Sequence, residues 1–250
     1  MAGNESAERT VLVTGGSRGI GAAIAERLAR DGWSVALNYA ARAAAADEVA
    51  GRIREAGGRV RTIRADVSDA DDVRGLFADI DKEMPRLEGL VNNAGVASPL
   101  GNFTDIDDEA MARVVSINVT GAMLVAREAA RRMMRSRGGA GGIIVNLGSP
   151  AFRLGNPGEL VAYATTKGAI ASLTVGLARE LGAEGVRVNT LAPGLIPTDM
   201  AEGRDIEKLL AGVPLGRLGT VAEVAEAASW LMSEKAAYVS GTTLDVTGGR

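Results

Sequence analysis

At 250 residues, 46% of them hydrophobic and 24% charged, the chain has the length and composition of a globular α/β protein, and with only 3% aromatic residues its core must be aliphatic. A formal net charge of -3 supplies no basic field for a nucleic-acid backbone, and no apolar run is expected to span a membrane, so neither is an expected partner and a cytoplasmic location is expected. Cysteine and histidine are both absent, which removes disulfides, thiolate nucleophiles, Ser-His-Asp triads and most zinc sites, so no metal centre is expected and proton chemistry is left to Tyr, Lys, Asp or Glu.

Residues 1–8 are small and polar and are expected to form a flexible tail ahead of a single domain over 9–250. A first strand over 10–14 runs into Thr14-Gly15-Gly16-Ser17-Arg18-Gly19-Ile20-Gly21, and a helical pattern follows through Ala22, Ile24, Ala25 and Leu28. In such a turn Gly15 permits the tight bend, Gly19 lets backbone approach a pyrophosphate, and Gly21 lets the helix lie close to the sheet with its amino terminus facing the anion. The pattern by itself is equally that of a strand-to-helix turn with no ligand. A second strand over 34–38 ends at Asn38-Tyr39-Ala40, and Arg42 lies just beyond it. Further strands are expected over 60–64, 89–92, 142–147, 187–191 and 243–246, with helices between them. The longest helix covers 161–181, where Ala162, Thr166, Ile170, Leu173, Leu177 and Leu181 recur at three- and four-residue steps and Gly182 is expected to stop it. The alternation implies a doubly wound, seven-stranded parallel sheet with helices on both faces, a single-domain Rossmann fold whose ligand edge is the carboxyl edge of the strands.

Three residues separate the first two functional glycines, where the commonest dinucleotide fingerprint has one. TGGSRGIG resembles the glycine turn of the short-chain dehydrogenase/reductase family, and that family's other motifs follow in order: Asp66 in ADV, Asn92-Asn93-Ala94-Gly95, Asn118 in SINVTG, Tyr163 and Lys167 in YATTK, and Pro193-Gly194 in PGLIPTDM. The resemblance covers nearly the whole chain, 10–249. It implies a nicotinamide-dependent oxidoreductase acting on a small carbonyl or alcohol. In it Asp66 meets the adenine, Asn92, Ala94 and Gly95 line the cofactor, Ile196 and Thr198 hold the carboxamide, Lys167 binds the nicotinamide ribose, and Asn118 holds a water linked to Lys167. Gly15, Ser17, Arg18, Gly19, Ile20, Gly21, Asn38, Tyr39, Arg42, Val67, Tyr163, Pro193 and Gly194 complete the expected cofactor site. Members with the most similar look are glucose-dehydrogenase-like or 3-oxoacyl-carrier-protein-reductase-like, and such proteins are commonly tetramers that pair the helices near 121–134 and 161–181. Those helical faces would equally serve to cover the sheet.

No acid occupies the end of the second strand, where a carboxylate would repel a 2′-phosphate, while Arg18 and Arg42 offer two guanidinium groups to it. NADP(H) is therefore the expected cofactor, with NAD(H) possible.

Tyr163 and Lys167 stand four apart on the long helix and so share a face. A phenol of reference pKa about 10 is a weak base at neutral pH, but an ammonium about 4 Å away at an effective dielectric of ~20 contributes roughly 4 kcal/mol, on the order of three pKa units before desolvation opposes it. The expected reduction is hydride transfer to a carbonyl carbon, with Tyr163 giving the proton and Ser149 hydrogen-bonding the oxygen. Ser149 and Tyr163 are fourteen apart, one more than is usual in the family, and the extra residue is expected to bulge outward in the loop over 155–160 and shape the substrate mouth. Substrate choice is expected from the loops over 97–103, 150–160 and 196–213, through Leu100, Phe103, Phe152, Leu154, Leu160, Met200 and Leu210. A catalytically silent NADP(H) sensor of the same fold is the alternative reading.

Overall fold

A computed structural model describes residues 9–198 and 205–250. The tail over 1–8 and Met200 lie outside the described residues. Seven strands form one parallel sheet: β1 (Thr10–Val13), β2 (Ser34–Tyr39), β3 (Arg59–Arg64), β4 (Leu87–Asn92), β5 (Gly142–Leu147), β6 (Val186–Pro193) and β7 (Thr243–Val246). Their order is β3-β2-β1-β4-β5-β6-β7, so the chain reverses direction across the sheet between β1 and β4. In such a sheet that reversal opens a crevice at the carboxyl edge.

Each face of the sheet is covered by helices because the inner strands are apolar on both sides. On one face Val11, Val13, Val35, Leu37, Val91 and Val145 pack against α1 (Gly19–Arg30), α2 (Ala43–Glu55) and α9 (Val221–Leu231). On the other, Leu12, Ala36, Leu90 and Ile144 pack against α3 (Ala70–Glu83) and α5 (Ala122–Met133), with the carboxyl end of α7 (Val161–Leu181) joining through Leu181. The strict alternation of the two sets along β1 is the pleat at work. Short helices α6 (Ala151–Leu154) and α8 (Ile206–Leu210) lie at the ligand edge, and α4 (Asp108–Val115) precedes α5 in the chain.

The long helix has the bounds that its apolar spacing predicts, 161–181, and Gly182 is its C-cap. Gly182 stays right-handed and leads into a 3₁₀ turn, which ends at Gly185, whose φ is 79°.

The α4 and α5 helices join without a break through a π-turn over Ser116–Gly121, and the continuous stretch Asp108–Met133, whose most apolar 18 residues have a mean hydropathy of 1.3, is by length and composition able to cross a membrane. In this fold Val125, Ala126, Ala129 and Met133 are buried against the sheet, and Glu128 pairs with Arg131 and Arg132 at 2.8 and 3.0 Å, so the stretch serves as a layer helix.

Candidate active site

A cavity of about 540 Å³ opens at the carboxyl edge. It is lined by residues that follow β1, β4, β5 and β6 and by one face of α7, and Ser149, Tyr163 and Lys167 all line it.

The glycine turn is locked from behind. Thr14 Oγ1 accepts from the backbone N–H groups of Asn93 and Ala94, each at 3.0 Å, and Asn93 Nδ2 donates to the Thr14 and Gly15 carbonyls at 2.9 and 3.1 Å. From the other side Asn38 Oδ1 accepts from Gly15 N at 3.4 Å while Asn38 Nδ2 donates to Ala65 O at 3.0 Å. Asn38 is thus a buried strut between β2, β3 and the turn, and Tyr39 beside it packs partly buried against the core.

Gly19 needs its φ of +55°, and Gly21 needs its bareness: a Cβ there would stand 2.4 Å from Gly15 O. The α1 helix begins at Gly19 with no capping side chain and no acid in its first turn. Its first amides therefore suit an anion. Ser17 is partly buried in the turn and Ile20 lines the cavity. Arg18 lies in the turn and Arg42 at the amino end of α2; burial and the nearby Arg42 charge, in that order, hold the Arg18 guanidinium below its ordinary value.

The expected Asp66 and Val67 diverge. Asp66 is exposed, and its Oδ1 accepts from Ser68 N and Oγ at 2.9 and 2.7 Å, so its carboxylate shapes the turn after β3. The cap of α3 is Asp69. Val67 is buried, with its backbone against Gly121.

The Asn92 side chain turns into the layer beneath the strand end. Its Nδ2 donates to Ala122 O at 2.9 Å and to Asn146 Oδ1 at 3.2 Å. Asn146 Nδ2 in turn donates to Thr174 Oγ1 at 2.9 Å, and Thr190 Oγ1 donates to Thr174 Oγ1 at 2.7 Å. Successive strand residues face opposite sides, so Asn92 at the strand end points into the layer beneath while Asn93 faces the crevice. Gly95, Pro193, Gly194, Ile196 and Thr198 line the cavity, whereas Ala94 is partly buried beside Gly15.

On α7, Tyr163 is 8% and Lys167 6% exposed. Lys167 Nζ donates to Leu147 O at 2.7 Å and stands 5.5 Å from the centre of the Tyr163 ring. Burial pulls the Lys167 ammonium down to about 8. Asn118 sits in the π-turn, where Oδ1 accepts from Val96 N at 2.8 Å and Nδ2 donates to Val96 O at 2.9 Å and to Thr166 Oγ1 at 3.1 Å. Thr166 Oγ1 donates to Tyr163 O at 2.7 Å, so Asn118 ties the loop after β4 to the turn of α7 that carries Tyr163. π-turns recur at functional sites because the extra residue re-aims a side chain.

Ser149 follows β5, and its Oγ accepts from Ala151 N at 3.2 Å at the start of α6. The loop over 155–160 does not simply bulge outward. Asn156, at φ 45° the one positive-φ residue other than glycine among the described residues, lines the cavity, and Leu160 is 3% exposed against Ala151 and Tyr163. Of the expected mouth residues Leu154 and Leu160 line the cavity; Leu100 and Phe103 are about half exposed, and neither they nor Phe152 and Leu210 line it. Leu195, Leu218 and Arg250 line it without having been expected. Leu218 and Arg250 come from segments that carry no recognisable motif.

The fold, the glycine turn and the buried Tyr-Lys pair define a dinucleotide-dependent oxidoreductase of Rossmann type. Comparison with known proteins narrows this. A family model described as enoyl-(acyl carrier protein) reductase matches residues 15–250. The chain is 46% identical to an uncharacterized oxidoreductase, YgfF, of Escherichia coli over 243 residues, 96% of this chain and 98% of that one. It is 36% identical to the 3-oxoacyl-[acyl-carrier-protein] reductase FabG of Staphylococcus aureus, over 96% of this chain and 97% of that one. Among solved structures, a short chain dehydrogenase from Burkholderia cenocepacia in complex with NADP superposes with a TM-score of 0.90 at 34% identity, covering 96% of this chain and 97% of that one. The chain belongs to the short-chain dehydrogenase/reductase family and is an oxidoreductase.

Proposed function

We propose that the protein is an NADP(H)-dependent oxidoreductase that interconverts a carbonyl and a secondary alcohol through Ser149, Tyr163, Lys167 and Asn118, within one catalytic domain over 9–250. The observation that carries the reading is the buried pair on α7, Tyr163 with Lys167, in the cavity that Ser149 also lines. The residues fit the cofactor: a Cβ on Gly21 would collide with the glycine turn, and the uncapped α1 terminus suits a pyrophosphate. Arg18 and Arg42, close enough for one charge to disturb the other, suit a 2′-phosphate. The Burkholderia relative was crystallised with NADP.

When bound, the reduced nicotinamide supplies the hydride. The protein's own part is to hold the substrate oxygen and move a proton. Tyr163 gives its phenolic proton to the carbonyl oxygen as the C–H bond forms, and Ser149 donates a hydrogen bond to the same oxygen. Lys167, anchored on Leu147 O, keeps a positive charge beside the phenol and so favours the phenolate left behind. Asn118 acts through its bonds to Val96 and Thr166 as a positioning residue.

The test is Tyr163→Phe with a panel of ketones, 3-oxoacyl thioesters, sugars and secondary alcohols, followed by nicotinamide absorbance. Loss of turnover with NADPH binding and fold intact supports the reading, and normal turnover refutes it. A wild-type protein that binds NADPH but turns over no member of the panel is instead a sensor. We further propose a cytoplasmic homotetramer; Val115, Met123 and Val175, 43%, 51% and 39% exposed on α4, α5 and α7, favour self-association, and sedimentation tests it.

A further inference from the structure

We infer that Asn156 is a specificity-determining residue whose side-chain amide donates a hydrogen bond to an uncharged oxygen, an ether or a second carbonyl, carried on the body of the carbonyl substrate away from its reacting carbon. The inference rests on the oxidoreductase reading above and names its substrate class.

Most polar groups that line the cavity already have work. Asn93 Nδ2 donates to the Thr14 and Gly15 carbonyls, Lys167 is committed to Leu147 O, and Arg250 is already engaged. Ser149 and Tyr163 serve the reacting oxygen, and Thr198 is the expected partner of the carboxamide. Asn156 also lines the cavity, and among the described residues no group hydrogen-bonds its side-chain amide.

The backbone beneath that amide is tied on every side, so its place is fixed. Gly155 N donates to Ala151 O at 2.8 Å, and Asn156 O accepts from the Glu159 and Leu160 N–H groups at 3.2 and 3.0 Å. The Glu159 carbonyl accepts from Gly101 N at 3.1 Å, which fastens the turn to the loop after β4. Asn156 holds a left-handed φ of 45° between Gly155 and Gly158, which stand at 69° and 72°. Glycine would meet that backbone requirement at no steric cost. Asparagine tolerates it and adds an amide, which here faces the substrate's side of the fold.

The α6 helix sets the distance from the chemistry. Pro150, Ala151, Leu154 and Asn156 all line the cavity, so the short helix runs along its wall from Ser149 to Asn156. Four residues of α-helix rise ~6 Å, roughly five bonds of an extended carbon chain. The walls otherwise include Leu154, Leu160, Leu195 and Leu218, with no Asp or Glu among the described lining residues. With the lining cations engaged and no acid present, an uncharged group is the fitting partner. A substrate with its carbonyl at Ser149, an aliphatic body and one further oxygen about an α6 length along matches these surfaces, since a few placed polar groups in an apolar pocket fix orientation.

The experiment compares two series of methyl ketones, one ending in a methyl and one in a methoxy group at increasing separation from the carbonyl, using wild type, Asn156→Gly and Asn156→Asp with NADPH. Asn156→Gly keeps the left-handed turn and removes the amide, and Asn156→Asp keeps the shape and removes the donor. Wild type is expected to prefer the methoxy ketone over the alkyl ketone of equal length by about fivefold or more in kcat/KM at one separation, as for one net hydrogen bond. Both variants are expected to collapse that ratio toward one through a higher KM for the methoxy ketone, with NADPH affinity and melting temperature retained. A wild type that turns over no methoxy ketone faster than its alkyl partner overturns the inference. So does a ratio unchanged in either variant, which is the outcome for a residue that serves only the turn. Turnover of the alkyl ketones that is lost in Tyr163→Phe leaves the oxidoreductase reading standing in either case.

Discussion

Replacing Lys167 with Met removes a buried charge while keeping an unbranched stem. Burial lowers the Lys167 ammonium from 10.5 to about 8, and a shift of that size corresponds to ~3 kcal/mol by which the folded chain disfavours the charged form. Against this, the variant leaves Leu147 O without its 2.7 Å partner, and an orphaned buried carbonyl costs about 1–3 kcal/mol. The net change at neutral pH should therefore lie between zero and about 2 kcal/mol of stabilisation, where truncation of a well-packed core side chain costs about 2–5 kcal/mol. The pH dependence has a definite sign. Below about 8 both folded and unfolded chains hold the proton and wild type bears the whole penalty; from about 8 to 10.5 the unfolded chain holds a proton that the folded one has released, so wild type gains on the variant as pH rises. Urea unfolding of both proteins at about pH 7 and about pH 10 reads the difference directly. Activity should fall by about a hundredfold or more, since the proton donor loses its partner. A variant that is several kcal/mol less stable at neutral pH, with a gap independent of pH, would show that Lys167 is an ordinary structural residue and that no strained cation stands beside Tyr163.

Three further outcomes are expected. Gly21→Ala places a Cβ 2.4 Å from Gly15 O and should cost about 3 kcal/mol or more along with NADPH binding; Gly75→Ala, in α3 with nothing within 4 Å of its Cβ, should gain about 0.5–1 kcal/mol. Thermal melts of the pair check both, and equal effects would contradict the close approach at the turn. The double variant Arg18→Ala, Arg42→Ala should weaken NADPH by about tenfold or more while leaving NADH nearly unchanged; fluorescence titration with both nucleotides checks it, and parallel losses would remove the phosphate assignment.

The strands and α7 were readable because their signals are local: runs such as Ile143-Ile144-Val145 declare a doubly buried strand, and the apolar steps along 161–181 declare a helix. The Tyr-Lys pair was readable for the same reason, since helix geometry alone puts four-apart residues on one face. What escaped depends on distant atoms. Which of two successive asparagines faces the crevice follows from the pleat at the end of β4, and the burial of Asn92 follows from Asn146 and Ala122, which lie far along the chain. Gly182 caps the α-helix as the spacing suggests, but the 3₁₀ turn that carries the chain on to left-handed Gly185 has no signal of its own. The π-turn at Asn118 has no composition of its own. Arg250 has no motif around it, and its place at the cavity follows only from β7 lying beside β6.

The hydroxyls and amides shared among Asn92, Asn146, Thr174 and Thr190 have a mechanical consequence. Greasy contacts tolerate sliding, because one methyl is nearly as good a neighbour as the next. Directional bonds do not, and a half-turn slip of α7 along β5 would leave several polar atoms stranded in a dry interior. The seam therefore works as a detent, keeping the phenol and ammonium aligned with the neighbouring strand end through the thermal jostling of each turnover.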